Sequence, residues 1–508
     1  MASPDRIAEL EAQLFAKDAE LAARDEQIFD LEAAVAARDG QVAEQAARIA
    51  QLEREVAVLL EQVRLLTEQL SQNSQNSHKP PSSDPPGTRA GKGGGKGKRK
   101  KGQRKRGGQR GHKGNHRELL PESEVDELVD YLPAKCEKCW VSLPEILDPK
   151  ATRFQVTEVP PVKPHTTEHR CHAVTCSCGH TTRGRFGPEV PTSPFGPRLM
   201  GIIGLLTGVY NVSRRKAVTL LSDLCGVRIS LGGLSAVEAR VSEAVNPAVA
   251  EAWDRAEGAP IKHTDGTSWL QAGAQLAVWT IATAMVTVYK IVADSSKATL
   301  KPLYGALRGI LVSDRAAALN FWAMRRRQVC WAHILRRFIG FSERDGPAAA
   351  FGRELLDYTG LLFEYWQAYK DGTLDRSIFR AWMKPVRTGL EEALERAVAA
   401  GIKGLSGSCA NLLEHRQALW TFVDTDGVEP TNNHAERELR AFVLWRKRSF
   451  GSQSERGNRF AERLMTVAAT ARKQDRDVLD FLAECCEAYV SGTEPPSLFA
   501  DPAIRAAA

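Results

Sequence analysis

The sequence predicts a multidomain α/β protein, and three observations carry that reading. A chain of 508 residues is too long for one ordinary hydrophobic core. Apolar residues recur every seven positions through the first seventy, the mark of a coiled coil. Between about 260 and 314, runs rich in Val, Ile, Thr and aromatics interrupt stretches of helical period.

In the heptad, Ile7, Leu14, Leu21, Ile28, Val35, Val42, Ile49, Val56, Val63 and Leu70 form one row without a miss. Leu10, Leu31, Leu52, Leu59 and Leu66 form the second row, broken by Lys17, Arg24, Arg38 and Gln45. β-Branched residues in the first row favour two parallel strands, so a homodimer or higher homo-oligomer through this helix is expected. SQNSQNSHKPPSSDPPG (71–87) then ends the helical pattern.

Charge is unevenly spread. Residues 85–117 hold thirteen Lys and Arg and no acid, which leaves −6 for the rest of a chain whose net charge is +7. This Gly-rich strap cannot build a core, and its density of one sign suits a polyanion: each cation displaces a counterion from phosphate. Lys98, Arg99, Lys100, Lys101, Arg104, Lys105 and Arg106 are its densest part. MASPDRIAEL is not a secretory pattern, and MGIIGLLTGVY is too short to span a bilayer. A cytoplasmic, nucleoid-associated protein with no membrane partner and with free or metal-bound thiols is expected.

Cys136 and Cys139 form a CxxC pair, and Cys176 and Cys178 a CxC pair, within a compact polar region. Four thiolates at such spacing suit a closed structural Zn2+ site, with Cys171, His172 or His180 able to replace one ligand. From Pro197 to about Val245 the spacing turns helical, with Ser213 and Ser235 as candidate N-caps. A basic SRRK start is as compatible with a helix-turn-helix as with a plain bundle. IKHTDG, LAVWTIATA, MVTVYKIVAD and GILVSD read as strands. QVCWAHILRRFIGF, most of 348–420, RFAERLMTVAATARKQ and VLDFLAECCEAYV read as helices.

Asp265 and Asp314 end two of those strands. On neighbouring strands they could share divalent cations, and a third carboxylate from a helix would complete a two-metal site for phosphodiester chemistry. Each has a plainer reading: Asp265 could stabilise the GTSW turn, and Asp314 could cap the helix after it. Glu436 could close a capping box with Asn433 as N-cap. Local spacing alone leaves these alternatives open.

The order of parts resembles the transposases of the insertion sequence 66 family, which are acidic-triad (DDE) recombinases. The resemblance runs over nearly the whole chain, through the zipper, SQNSQNSHKPPSSDPPG, GGQRGHKGNHR, the cysteine segment, TDGTSW, LVSDR and CWAHILRRF. EPTNNHAERELRAFVLWRKRSFGSQSERG is its most specific part. It implies an RNase H-like catalytic core with a helical insertion between the second Asp and the Glu. Matched motif to motif, the triad is Asp265, Asp314 and Glu436, with Glu438 and Glu429 as alternatives and intervals of 49 and 122 residues. It further implies Mg2+ (or Mn2+) at the triad and double-stranded DNA, transposon ends and target, as substrate. The implied reaction is cleavage at the ends followed by attack of the 3′-hydroxyls on the target. Arg437, Arg440, Arg446, Lys447 and Arg448 would meet DNA phosphates. His333 could approach the site or pack beneath it, Cys330 reads as a core thiol, and small accessory proteins of the same element are further partners.

Two departures stand out. Gly266 follows the first Asp where the family usually has Glu, and RAAALN follows the second where an aromatic is usual. They keep open a catalytically decayed copy that only binds DNA; an RNase H-like nuclease without strand transfer is the other alternative. The expected domains are a coiled coil (1–78), a basic disordered linker (79–117), a zinc module (118–190) and a helical segment (191–257). A catalytic core (258–470, insertion about 345–425) and a C-terminal helix and tail (471–508) complete the chain.

Overall fold

The computed structural model describes residues 4–77, 118–187, 190, 191 and 193–499; the basic strap, Lys98 to Arg106 included, lies outside them. In chain order the elements are α1 (Pro4–Ser71), β1 (Ala173–Thr175), β2 (Thr181–Arg183), α2 (Pro197–Gly204), α3 (Arg214–Cys225), α4 (Leu231–Ala244) and α5 (Asn246–Gly258). Then come β3 (Ile261–Gln271), β4 (Ala274–Ala282), β5 (Thr287–Val292), α6 (Lys297–Tyr304), β6 (Ile310–Ser313) and β7 (Arg327–Val329). The rest is helical: α7 (Trp331–Ser342), α8 (Pro347–Lys370), α9 (Arg376–Ala399), α10 (Ser406–Glu414), α11 (Arg416–Leu419), α12 (Thr421–Asp424), α13 (Asn433–Ser449), α14 (Glu455–Lys473) and α15 (Val478–Ser491). Two compact units result, one of Met1–Arg89 with Val329–Asp426, the other of Ala90–Gln328 with Gly427–Ala508.

In the first unit α1 is one 68-residue helix, roughly 100 Å long at ~1.5 Å per residue. Its apolar rows stay open: Ile28 is 52% exposed, Ile49 57% and Leu59 58%. Among the described residues, nothing covers this seam. Past Ser71 the chain folds into a small knot. The Asn73 amide donates to Asn76 Oδ1 at 2.8 Å, and the Ser77 hydroxyl donates to the Asn73 carbonyl at 2.6 Å. Asn76 Nδ2 reaches Glu343 Oε2 at 2.7 Å, and a Cβ on Gly340 of α7 would lie 2.4 Å from the Asn76 carbonyl oxygen. SQNSQNS is thus a plug seated on α7, where the sequence showed only a helix breaker.

In the second unit a mixed sheet has the order β5-β4-β3-β6-β7, with β3 antiparallel to β4, β4 antiparallel to β5, and β3 parallel to β6. β3 is longer than expected. It continues through GTSW to Gln271, and the hairpin turns at Ala272 and Gly273, both at positive φ. Asp265 therefore stabilises no turn at GTSW. One core, including Met200, Val241, Ala252, Trp279, Leu311, Leu464 and Phe481, joins 197–258, the sheet and α15, which the sequence had divided at 257 and 470. Ser213 caps α3, its hydroxyl accepting from the Lys216 amide, but α4 is capped by Ser230, and Ser235 lies inside it. The short β7 occupies what read as the start of a helix.

The outer edge of β5 is closed by α14. Amides of Thr287, Tyr289 and Ile291 donate to Thr470 Oγ1 (3.2 Å), Thr466 Oγ1 (3.2 Å) and Glu462 Oε1 (2.5 Å). Every fourth helical residue advances ~6 Å and every second strand residue ~6.6 Å, so the two ladders stay in step. Three otherwise bare amides of an edge strand are satisfied this way.

Residues 118–187 are different. None of those described is buried, so the region has no core of its own and is not the compact module expected.

Candidate active site

Asp265 lies on β3, and Asp314 follows the neighbouring parallel strand β6. The parallel register pairs Ile261 with Ile310 and His263 with Val312, and two residues beyond the last pair come Asp265 on β3 and Asp314 on the chain leaving β6. β6 ends at Ser313, so Asp314 leaves the sheet where the parallel pairing stops. Side chains alternate along a strand, and His263, Asp265, Thr267 and Trp269 share one face. On that face lies α13: Trp269 packs edge-on against Phe442 at 5.4 Å, and the His263 and His434 rings are 5.1 Å apart. Glu436, in the first turn of α13, is carried on the same side of the sheet, and all three carboxylates are half-buried.

Each aspartate is held locally. Asp265 Oδ1 accepts from the Gly266 amide at 2.9 Å, and Asp314 Oδ1 from the Ala316 amide at 3.0 Å, but the helical turn Ala317–Leu319 has Ala316 as its N-cap, so Asp314 does not cap it. Arg327, fully buried, ties down the segment after β6. Its guanidinium donates to Ser313 Oγ (3.1 Å), the Asp314 carbonyl (2.8 Å) and Asn320 Oδ1 (2.9 Å). Burial lowers its pKa to about 10, while the Asp314 charge opposes that shift. Burial of Tyr304, whose hydroxyl meets that of Thr264, drives its pKa above the range in which phenols ionise, and the charges of Asp265 and Asp314 push the same way.

The start of α13 differs from the expected capping box. The N-cap is Asn432, not Asn433, and its side chain makes no capping bond. Glu436 is consequently one position deeper, its amide donating to the Asn432 carbonyl at 3.2 Å. Beyond it, Lys473 Nζ lies 2.9 Å from His434 Nε2 and 3.1 Å from Glu438 Oε1, and the Tyr289 hydroxyl donates to the Glu438 carbonyl at 2.9 Å. Glu438 is thus engaged in holding the helix. Burial, reinforced by the nearby His434, lowers His263 to about 4, so it is neutral at physiological pH.

Of the basic residues on α13, Arg437, Arg440, Lys447 and Arg448 are exposed. Arg446 turns back on β3, donating to Thr267 Oγ1 at 3.1 Å and to Ser268. Its guanidinium therefore serves the fold.

The cysteines sit in two turns. Cys176 and Cys178 lie in the loop of the β1–β2 hairpin, and Cys136 and Cys139 lie inside the Lys135–Ser142 bridge. Amides of Cys139 and Lys138 hold the Cys136 thiol below its usual pKa, and the Cys178 amide does the same for Cys176. Among the described residues, neither the four cysteines nor the three acids bring three ligand atoms within 4.8 Å of one another.

A family model described as Transposase IS66 family matches residues 196–460, just over half of the chain. A second, described as a family of unknown function (DUF6444), matches residues 32–118. No curated protein matches the chain.

Proposed function

The chain belongs to the IS66 transposase family, and from that membership we propose that it cuts transposon ends and joins their 3′-hydroxyls to target DNA at Asp265, Asp314 and Glu436. The observation that supports this reading is the parallel pairing of β3 with β6, which runs toward Asp265 and Asp314, on the sheet face against which the helix bearing Glu436 packs. The strand order β5-β4-β3-β6-β7, with β5, β4 and β3 successively antiparallel and β3 parallel to β6, supports an RNase H-like core. The helices between β7 and α13 correspond to an insertion in it.

Carboxylates at the end of a parallel pairing fit hard divalent cations, which take oxygen ligands. When bound, Mg2+ supplies the Lewis acidity that phosphodiester cleavage and transfer need. Asp265 would supply ligand oxygens from within β3, Asp314 from the residue after β6, and Glu436 from α13. Exposed Arg437 and Arg440 offer charge-assisted bonds to backbone phosphates. In the joining step the 3′-oxygen bonds to a target phosphorus, a target 3′-oxygen leaves with the electron pair, and the hydroxyl proton passes to solvent.

The remaining parts fit assembly on DNA. The open seam of α1 suits a second copy of the chain, as pairing two ends requires. The amide-lined turns at Cys136/Cys139 and Cys176/Cys178 suit a structural Zn2+, which a region without a core needs in order to fold. No described helix is long and apolar enough to cross a membrane.

The test is cleavage and strand transfer on labelled element-end DNA with Mg2+, native chain against Glu436→Gln. Loss of both products in a folded, DNA-binding Glu436→Gln protein supports the assignment. Retained activity refutes it. Cleavage without joining by the native chain identifies a nuclease, and end binding with neither product, accessory proteins included, identifies a decayed copy.

A further inference from the structure

Asn432 occupies an unusual position. It is the N-cap of α13 and wholly buried, yet its side chain leaves the helix amides alone. Nδ2 instead donates to the Thr264 carbonyl at 2.7 Å, and Oδ1 lies 3.3 Å from His263 Nδ1. Its own carbonyl accepts the Glu436 amide. Asparagine is suited to this task because one planar group offers a donor and an acceptor together.

We propose that Asn432 is a positioning residue that sets the distance between Asp265 and Glu436 and thereby the fit of the divalent cation. This rests on the triad assignment above. Thr264 immediately precedes Asp265, and Glu436 is one helical turn beyond Asn432, so a single side chain fixes both carriers. Arg446 and Phe442 tie the later turns of α13 to β3, and Lys473 and Tyr289 engage Glu438, whereas the 264–432 link joins β3 to the start of the helix, next to both Asp265 and Glu436. A partner behind a metal ligand acts through geometry, and its loss typically weakens metal binding by about 10–100-fold.

The experiment compares native chain, Asn432→Ala, Asn432→Asp and Asn433→Ala, the last an exposed neighbour serving as control. Mn2+ affinity is measured by isothermal titration, and kcat, KM for end DNA and the half-saturating Mg2+ concentration by cleavage. Asn432→Asp keeps the shape but, ionised, cannot donate to Thr264. Both Asn432 variants should lose Mn2+ affinity on the order of tenfold. They should need correspondingly more Mg2+ and lose kcat, with KM for DNA held within about twofold of native. Asn433→Ala should match native throughout. Unchanged Mn2+ affinity in the folded Asn432 variants overturns the proposal, as does failure of both to fold, which makes Asn432 a fold determinant alone. A native chain that neither binds Mn2+ nor cuts sinks the triad reading itself, a result distinguishable because it precedes any substitution.

Discussion

Gly266 and Trp279 fit each other as one unit. They are cross-strand partners on β3 and β4, and a Cβ at position 266 would lie 2.6 Å from the Trp279 ring. The indole fills the space that a side chain beside Asp265 would occupy. It is held there by its Nε1–H bond to Ser295 Oγ at 3.2 Å and by edge-on packing against Tyr304. The glycine is therefore matched by its neighbour across the hairpin. Gly266→Ala should cost about 1–3 kcal/mol through overpacking, and distinctly less in a Trp279→Leu background. Equal costs in the two backgrounds, measured by denaturant melts, would show that the fit has no energetic weight.

Arg327 should matter to the acidic site from a distance. Arg327→Lys cannot reproduce a fork that satisfies Ser313, Asp314 and Asn320 at once. The expected loss is on the order of 3 kcal/mol in stability. Cleavage should fall even where the variant remains folded, because the Asp314 segment loses its tether. Hydrogen exchange over 314–320 checks this directly: unaltered protection there contradicts the tether.

The seat of the SQNSQNS plug offers a local test. Gly340→Val puts carbon where the Asn76 carbonyl rests, and Asn76→Ala removes the bond to Glu343. Either should raise proteolytic cutting and amide exchange at 72–77 while leaving the 17-residue α13 as protected as before. No change at 72–77 in Gly340→Val would mean that the plug does not depend on its seat.

The cysteine region should depend on metal. With none of its described residues buried, chelation should unfold 118–187 selectively, and Cys136→Ser should do the same. Zinc analysis of the purified chain should give one ion per chain. Native protein free of zinc with an ordered 118–187 region would exclude the site.

Periodicity made much of this fold legible. The strands at 274–282, 287–292 and 310–313 and the long helices were visible because each keeps one period over many residues. What escaped depends on partners remote in sequence. Asn432 and Asn433 are indistinguishable as caps until the bonds to His263 and Thr264 choose between them. β3 was cut short at Gly266 because glycine reads as a breaker unless Trp279 lies across from it. Arg446 read as a phosphate ligand, since nothing local shows that Ser268 claims it. Asp265 was expected at a strand end but lies within β3, and only the parallel pairing of β3 with β6 shows which strands carry the two aspartates toward one another.

The ladder between α14 and β5 has a consequence for how the protein is made. Its three bonds tie residues 171 to 183 positions apart. At ~5–20 residues per second, translation leaves β5 finished for roughly 10–35 s before its cover emerges. Through that interval the nascent sheet presents bare amides that a second nascent chain or a chaperone can occupy. Chains released before Glu462 lack all three rungs and keep that raw edge.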